Sequence, residues 1–145
     1  MNPFNKKQKK FISAELYNNL VVPIFMAVEM YSSEKMGPAH FDKILLCLNV
    51  TEKIRKNTRL PLLRRKSLDE LKSILFELHA QYKLNGFFVY DENIDYLMGK
   101  AVVNLCNQWR FLPEETLLYV MLDVIEQSQL KNAGTSQFSK VVTHA

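Results

Sequence analysis

Leu16, Leu20, Ile24, Val28 and Tyr31 recur at steps of four, four, four and three, which puts them on one stripe of a helix over about residues 12–33. Pro23 falls inside that stripe. A proline lacks a backbone donor and clashes one turn back, so the pattern predicts either a kink or a second helix that begins at Pro23. Met36-Gly37-Pro38 closes the segment. A second helix is predicted over about 39–58, with Phe41, Ile44, Leu45 and Leu48 on one face, basic from Lys53 onward and ended by Pro61.

Ser67 and Glu70 match the S-x-x-E capping box, in which each side chain satisfies the other's orphan backbone donor, so a third helix is predicted to start there. Leu68, Leu71, Leu75, Leu78 and Tyr82 form its apolar seam, and Asn85-Gly86 supplies its stop. Residues 87–92, FFVYDE, have strand-like composition but are too few to make a sheet; they read as a connector tucked into the core. A fourth helix follows over about 93–110, capped by Asp91 or Asn93, with Ile94, Leu97, Ala101, Leu105 and Trp109 inward. Pro113-Glu114-Glu115 opens a fifth, to about Leu130. Its Leu117, Leu118, Val120, Met121, Val124 and Ile125 cover two faces, so it is expected to be the central, most buried helix.

The expected fold is therefore all-α, a compact bundle of about five helices. One domain over 11–130 is flanked by a flexible basic arm at 1–10 and a disordered polar tail at 131–145. Composition agrees: 48 % of the chain is apolar, and four glycines and five prolines are too few for the turns of a many-stranded sandwich or barrel.

Charge alters the picture more. Residues 1–66 carry thirteen Lys/Arg against five Asp/Glu, and the remainder six against ten. Two surfaces of opposite sign are expected, the positive one suited to phosphates or an acidic partner. Cys47 and Cys106 are the only cysteines, each among apolar neighbours. Two buried thiols in a reducing cytoplasm is the expectation, in preference to a Cys47–Cys106 bridge. The apolar run Leu20–Val28 is interrupted by Pro23 and far short of the ~20 residues a membrane span needs. Neither membrane insertion nor export is predicted.

Candidate chemistry is sparse. His40, His79 and His144 belong to no metal-ligand pair, and the glycines are too isolated for a phosphate loop. Asp91, Glu92 and Asp95, like Glu114 and Glu115, are accounted for by the dipole of a helix start without a metal. No cofactor, metal or catalytic residue is assigned, and a non-enzymatic protein is expected.

The strongest local signal is basic: Lys53, Arg55, Lys56, Arg59, Arg64, Arg65 and Lys66 place seven positive charges within fourteen residues, with no acid among them. Arginine's planar fork matches phosphate oxygens, and such a patch binds a nucleic-acid backbone by releasing counterions. The simplest alternative is a solvated helix end whose cations complement the dipole. No helix-turn-helix pattern accompanies the patch, and no aromatics interleave it. The leading expectation is a small regulatory protein that binds nucleic acid through these residues, as a monomer or a homodimer. The second is an adaptor or inhibitor that docks the same charges on an acidic protein, with Phe87, Phe88 and Tyr90 as anchors. An enzyme of unrecognised type comes third.

Overall fold

A computed structural model describes residues 10–57 and 65–134. Among them the chain forms five α-helices: α1 (Ala14–Ser32), α2 (Pro38–Asn57), α3 (Arg65–Asn85), α4 (Glu92–Trp109) and α5 (Glu114–Gly134). The arrangement is an all-α bundle around one hydrophobic core. The last helix runs four residues past the expected end at Leu130. Residues 1–9 of the expected basic arm, and everything from 135 onward, lie outside the described residues.

The helix at the centre is α2, which packs on all four others, whereas α5 packs chiefly on α2. This corrects the expectation that α5 is the most buried helix. Among the described residues of α5 only Leu117, Val120 and Met121 are buried, while Tyr119 and Leu122 on its other side are 67 % and 66 % exposed. Leu118, Val124 and Ile125 are only partly buried. In α2, by contrast, the small polar residues Cys47 and Thr51 join Phe41, Ile44, Leu48, Val50 and Ile54 in the core.

Helix α1 continues through Pro23 without dividing. Asn19, whose carbonyl loses its partner one turn back, is exposed, so water can satisfy it. The buried stripe is Tyr17, Val21, Ile24, Ala27 and Tyr31, rotated from the expected one. Leu16, Leu20 and Val28 are only partly buried. The reason lies in the two tyrosines, whose rings fill the core while their hydroxyls find backbone partners. Tyr17 Oη donates to the Cys106 carbonyl at 2.8 Å; Tyr31 Oη donates to the Val89 carbonyl at 2.9 Å and accepts the Asp91 N–H at 2.8 Å. With Ser32 Oγ donating to Asp95 at 2.6 Å, these bonds set α1 antiparallel to α4.

Tyr31 thus fastens α1 to the connector 86–91 and to the entry of α4. Tyr31→Phe is expected to cost about 1–3 kcal/mol, because the Val89 carbonyl and the Asp91 N–H each lose their hydrogen bond to the hydroxyl. Urea unfolding measures it; an unchanged midpoint would mean that water replaces the hydroxyl without loss.

The ends of the helices follow local chemistry. Ser13 caps α1 by accepting the Leu16 N–H at 3.1 Å, and Asp91 caps α4 by accepting the Ile94 N–H at 3.0 Å. Gly86, with φ +79°, takes the left-handed conformation that ends α3, and its N–H donates to the Tyr82 carbonyl at 2.8 Å. Ser67 does not act as the expected cap. The helix is already formed at Arg65, so Ser67 lies within the first turn, buried, and accepts from Asn104 Nδ2 of α4 at 3.2 Å. Ahead of α5, Phe11 bridges to Pro113, and the Glu114 N–H donates to the Lys10 carbonyl at 2.6 Å.

In the centre of the core Trp109 Nε1 donates to Thr51 Oγ1 at 3.2 Å, and Thr51 donates in turn to the Cys47 carbonyl at 2.8 Å. Cys47 and Cys106 are free thiols, fully buried side by side.

Candidate functional site

The seven cations of the basic segment do not form one free patch. Lys53 pairs with Asp123 of α5, tying that helix to α2. Arg55 pairs with Glu52 at 3.1 Å, and Glu52 also lies 3.8 Å from Lys72 of α3. The acid opposing Lys53 comes from seventy positions away, which no local reading of the segment reveals. Lys56 is exposed in the last turn of α2, where a cation complements the helix dipole. Arg59 and Arg64 lie outside the described residues. Arg65 and Lys66 are exposed at the start of α3. Arg65 has only a 4.0 Å contact with exposed Asp69, a pair worth little in water.

Two cavities lie among the described residues, and the first takes in Arg65 and Lys66. In the first, Arg65, Lys66, Ser67 and Glu70 of α3 meet Lys100 and Asn104 of α4 around a cleft of about 360 Å³. Three cations face one carboxylate there, and the Asn104–Ser67 hydrogen bond holds the floor polar. Lys100 was missed by sequence reasoning, since it sits alone among apolar neighbours. A signal existed in the helical register: a lysine one position from inward Ala101 lies on the flank of the buried face, where a neighbouring helix brings its own flank.

The second is a larger groove, about 460 Å³, between α2, α3 and the C-terminal half of α5. Its walls are apolar, built from side chains such as Leu45, Leu48, Leu75, Phe76, Val124 and Ile125, with Asp42, Lys43, Lys72 and His79 among the polar ones. Burial pushes the Asp42 carboxyl above its ordinary range, opposed in part by Lys43. Burial, with the Lys83 charge, pushes His79 below its ordinary value. A carboxyl raised in the folded state favours folding at low pH and loses that contribution as pH rises through its folded pKa. Asp42→Asn is therefore expected to raise the melting temperature at pH 7, with the gain shrinking as pH falls through the raised folded pKa and gone below the ordinary aspartate pKa. A variant less stable at neutral pH would show that the Lys43 attraction outweighs desolvation.

The aromatic connector divides in its placement. Phe88 stacks on Phe41 (centroids 5.4 Å apart, planes 10° apart) and lies 4.6 Å from Tyr82. Tyr90 packs on Tyr31 at 5.4 Å and donates to Asp95 at 2.9 Å, a bond that pushes the phenol up to about 12. Phe87 is 60 % exposed and is the one of the three that faces solvent.

Asp91 is engaged as the α4 cap, and Asp95 accepts from Ser32 and Tyr90. His40 Nδ1 accepts the Gly37 N–H at 2.9 Å, and His79 sits 6.4 Å from the Phe41 ring. His144 lies outside the described residues. Among the described residues no helix is long and apolar enough to cross a membrane. No protein-family model, curated protein or solved structure matches the chain.

Proposed function

We propose that this protein is a small, non-enzymatic, cytoplasmic regulator that binds the phosphate backbone of nucleic acid. The observation that carries the reading is the cleft in which Arg65 and Lys66 of α3 converge with Lys100 of α4. Cations drawn from two helices hold fixed relative positions, as successive phosphates require, and exposed Lys56 is a further cation free to contact a phosphate. Arg59 and Arg64 belong to the same reading by their place in the sequence. Contacts of this kind fix position on a backbone and do not read bases. Homodimerisation fits the reading, because a second cleft on the same strand multiplies individually weak contacts. Two free thiols support a reducing cytoplasm as its setting.

The groove favours a second reading, a protein-binding adaptor or inhibitor. There the apolar walls receive a partner's side chains, with exposed Phe87 and Phe76 as further anchors, while the cations face an acidic surface.

The test is binding of the purified protein to labelled double-stranded DNA, single-stranded DNA and RNA across a salt series. A log-affinity falling linearly with log salt supports the nucleic-acid reading, and its slope counts the phosphates engaged. No binding to any of the three at low salt overturns that reading and leaves the adaptor.

A further inference from the structure

The only two cysteines of the chain come from different helices, Cys47 from α2 and Cys106 from α4, and meet in the core. Both are at 0 % exposure, and their sulfurs lie 3.7 Å apart, one thiol donating to the other. A disulfide needs about 2.05 Å between sulfurs, so closing it takes less than 2 Å of approach. Two facing thiols with no third cysteine in the chain have one intramolecular partner each. Neither the cleft nor the groove is lined by them.

We propose that Cys47 and Cys106 are a reversible oxidation site, at which a small disulfide such as oxidised glutathione converts the thiol pair into an intramolecular bond locking α2 to α4. The exchange balances in two steps. One cysteine, as thiolate, attacks the small disulfide, forms a mixed disulfide and releases one small thiol. The second cysteine attacks the protein sulfur of that mixed disulfide, closing the Cys47–Cys106 bond and releasing the other small thiol. Two electrons and two protons pass from the protein to the oxidant, and a reducing thiol reverses both steps. Proximity makes the second step outrun capture of another glutathione.

The surroundings set the rate. The hydrogen bond with Cys47, together with burial, pushes the Cys106 thiol far above its ordinary pKa, and in the closed bundle neither sulfur is exposed to an oxidant. Oxidation therefore proceeds through local opening of α2 against α4 and is slow in the undisturbed fold. A transient bond of this kind suits a reducing compartment, where disulfides report oxidative episodes.

The experiment incubates the full chain with excess oxidised glutathione, with and without urea below the unfolding transition. The products are then denatured, alkylated and weighed intact. The expected product is a monomer lighter by two hydrogens that takes no alkyl group, forms faster in urea and is restored by dithiothreitol. Its melting temperature rises by an amount on the order of 10 °C, because the bond closes a long loop of the unfolded chain. Cys47→Ser and Cys106→Ser should each end one glutathione heavier. Wild-type protein that instead carries one or two glutathiones, forms disulfide-linked dimers, or keeps two alkylatable thiols after prolonged exposure in urea overturns the proposal.

Discussion

Trp109→Ala is expected to lower the free energy of unfolding by about 3–5 kcal/mol, the cost of emptying a large aromatic site in a core that cannot collapse to fill it. Trp109 has no exposed surface and is the largest fully buried side chain of the bundle. It also donates to Thr51, so its removal leaves a void together with a hydroxyl that has lost its donor. For a domain stabilised by about 5–15 kcal/mol such a loss is a large share of the total. Trp109→Phe separates the two contributions: it keeps most of the ring volume, deletes the indole N–H and should cost about 1–3 kcal/mol. Since Trp109 is the chain's only tryptophan, far-ultraviolet circular dichroism in urea is the appropriate probe. An alanine variant within 1 kcal/mol of wild type would contradict the placement of Trp109 in the core.

The second large effect concerns the cleft. Lys66→Glu combined with Lys100→Glu is expected to lower the slope of log affinity against log salt by about 2 on duplex DNA, since each phosphate contact contributes about 0.9. Reversal goes further than removal because each glutamate also repels the backbone, so binding at low salt should fall at least tenfold, or about 1.4 kcal/mol. Both residues are exposed, and neither takes part in the ion pairs that hold α2 to α5 or α3, so the melting temperature should hold. Equal losses on duplex, single strand and RNA would mark backbone contact alone. An unchanged salt slope, with binding intact, would move the interface away from the cleft.

Sequence periodicity locates all five helices, because each one buries a stripe that recurs with the helical period. It reads the facing less well. In α1 the leucines suggest one stripe, but tyrosine rings bury more area and bring hydroxyls that find backbone carbonyls, so the helix turns toward Tyr17 and Tyr31. The capping motif at Ser67 misleads for a related reason: a serine in a first turn is equally at home when another helix supplies it a donor. The central position of α2 is hidden by its mixed composition, since Cys47 and Thr51 reach the core through bonds to backbone and indole that no hydropathy pattern records. At the candidate site, a dense run of cations is conspicuous, yet Asp123, which takes Lys53 out of it, and Lys100, which joins Arg65 and Lys66, come from other helices. Charge counts along the chain cannot tell a cation that ties two helices together from one that faces solvent.

The short pairing of Lys10 and Phe11 with Pro113 and Glu114 bears on the order in which the molecule assembles. Neighbouring helices such as α1 and α2, or α3 and α4, can find each other soon after collapse, because few residues separate them and the loop to be closed is short. The first N–H of α5, in contrast, takes its acceptor from near the opposite end of the chain. That contact forms only once α1 lies along α4 and brings its leading residues to the start of α5. The helix forming one wall of the groove is thus fastened at its start by a residue from far along the chain. During synthesis, Lys10 waits through more than a hundred further residues for the partner that completes it.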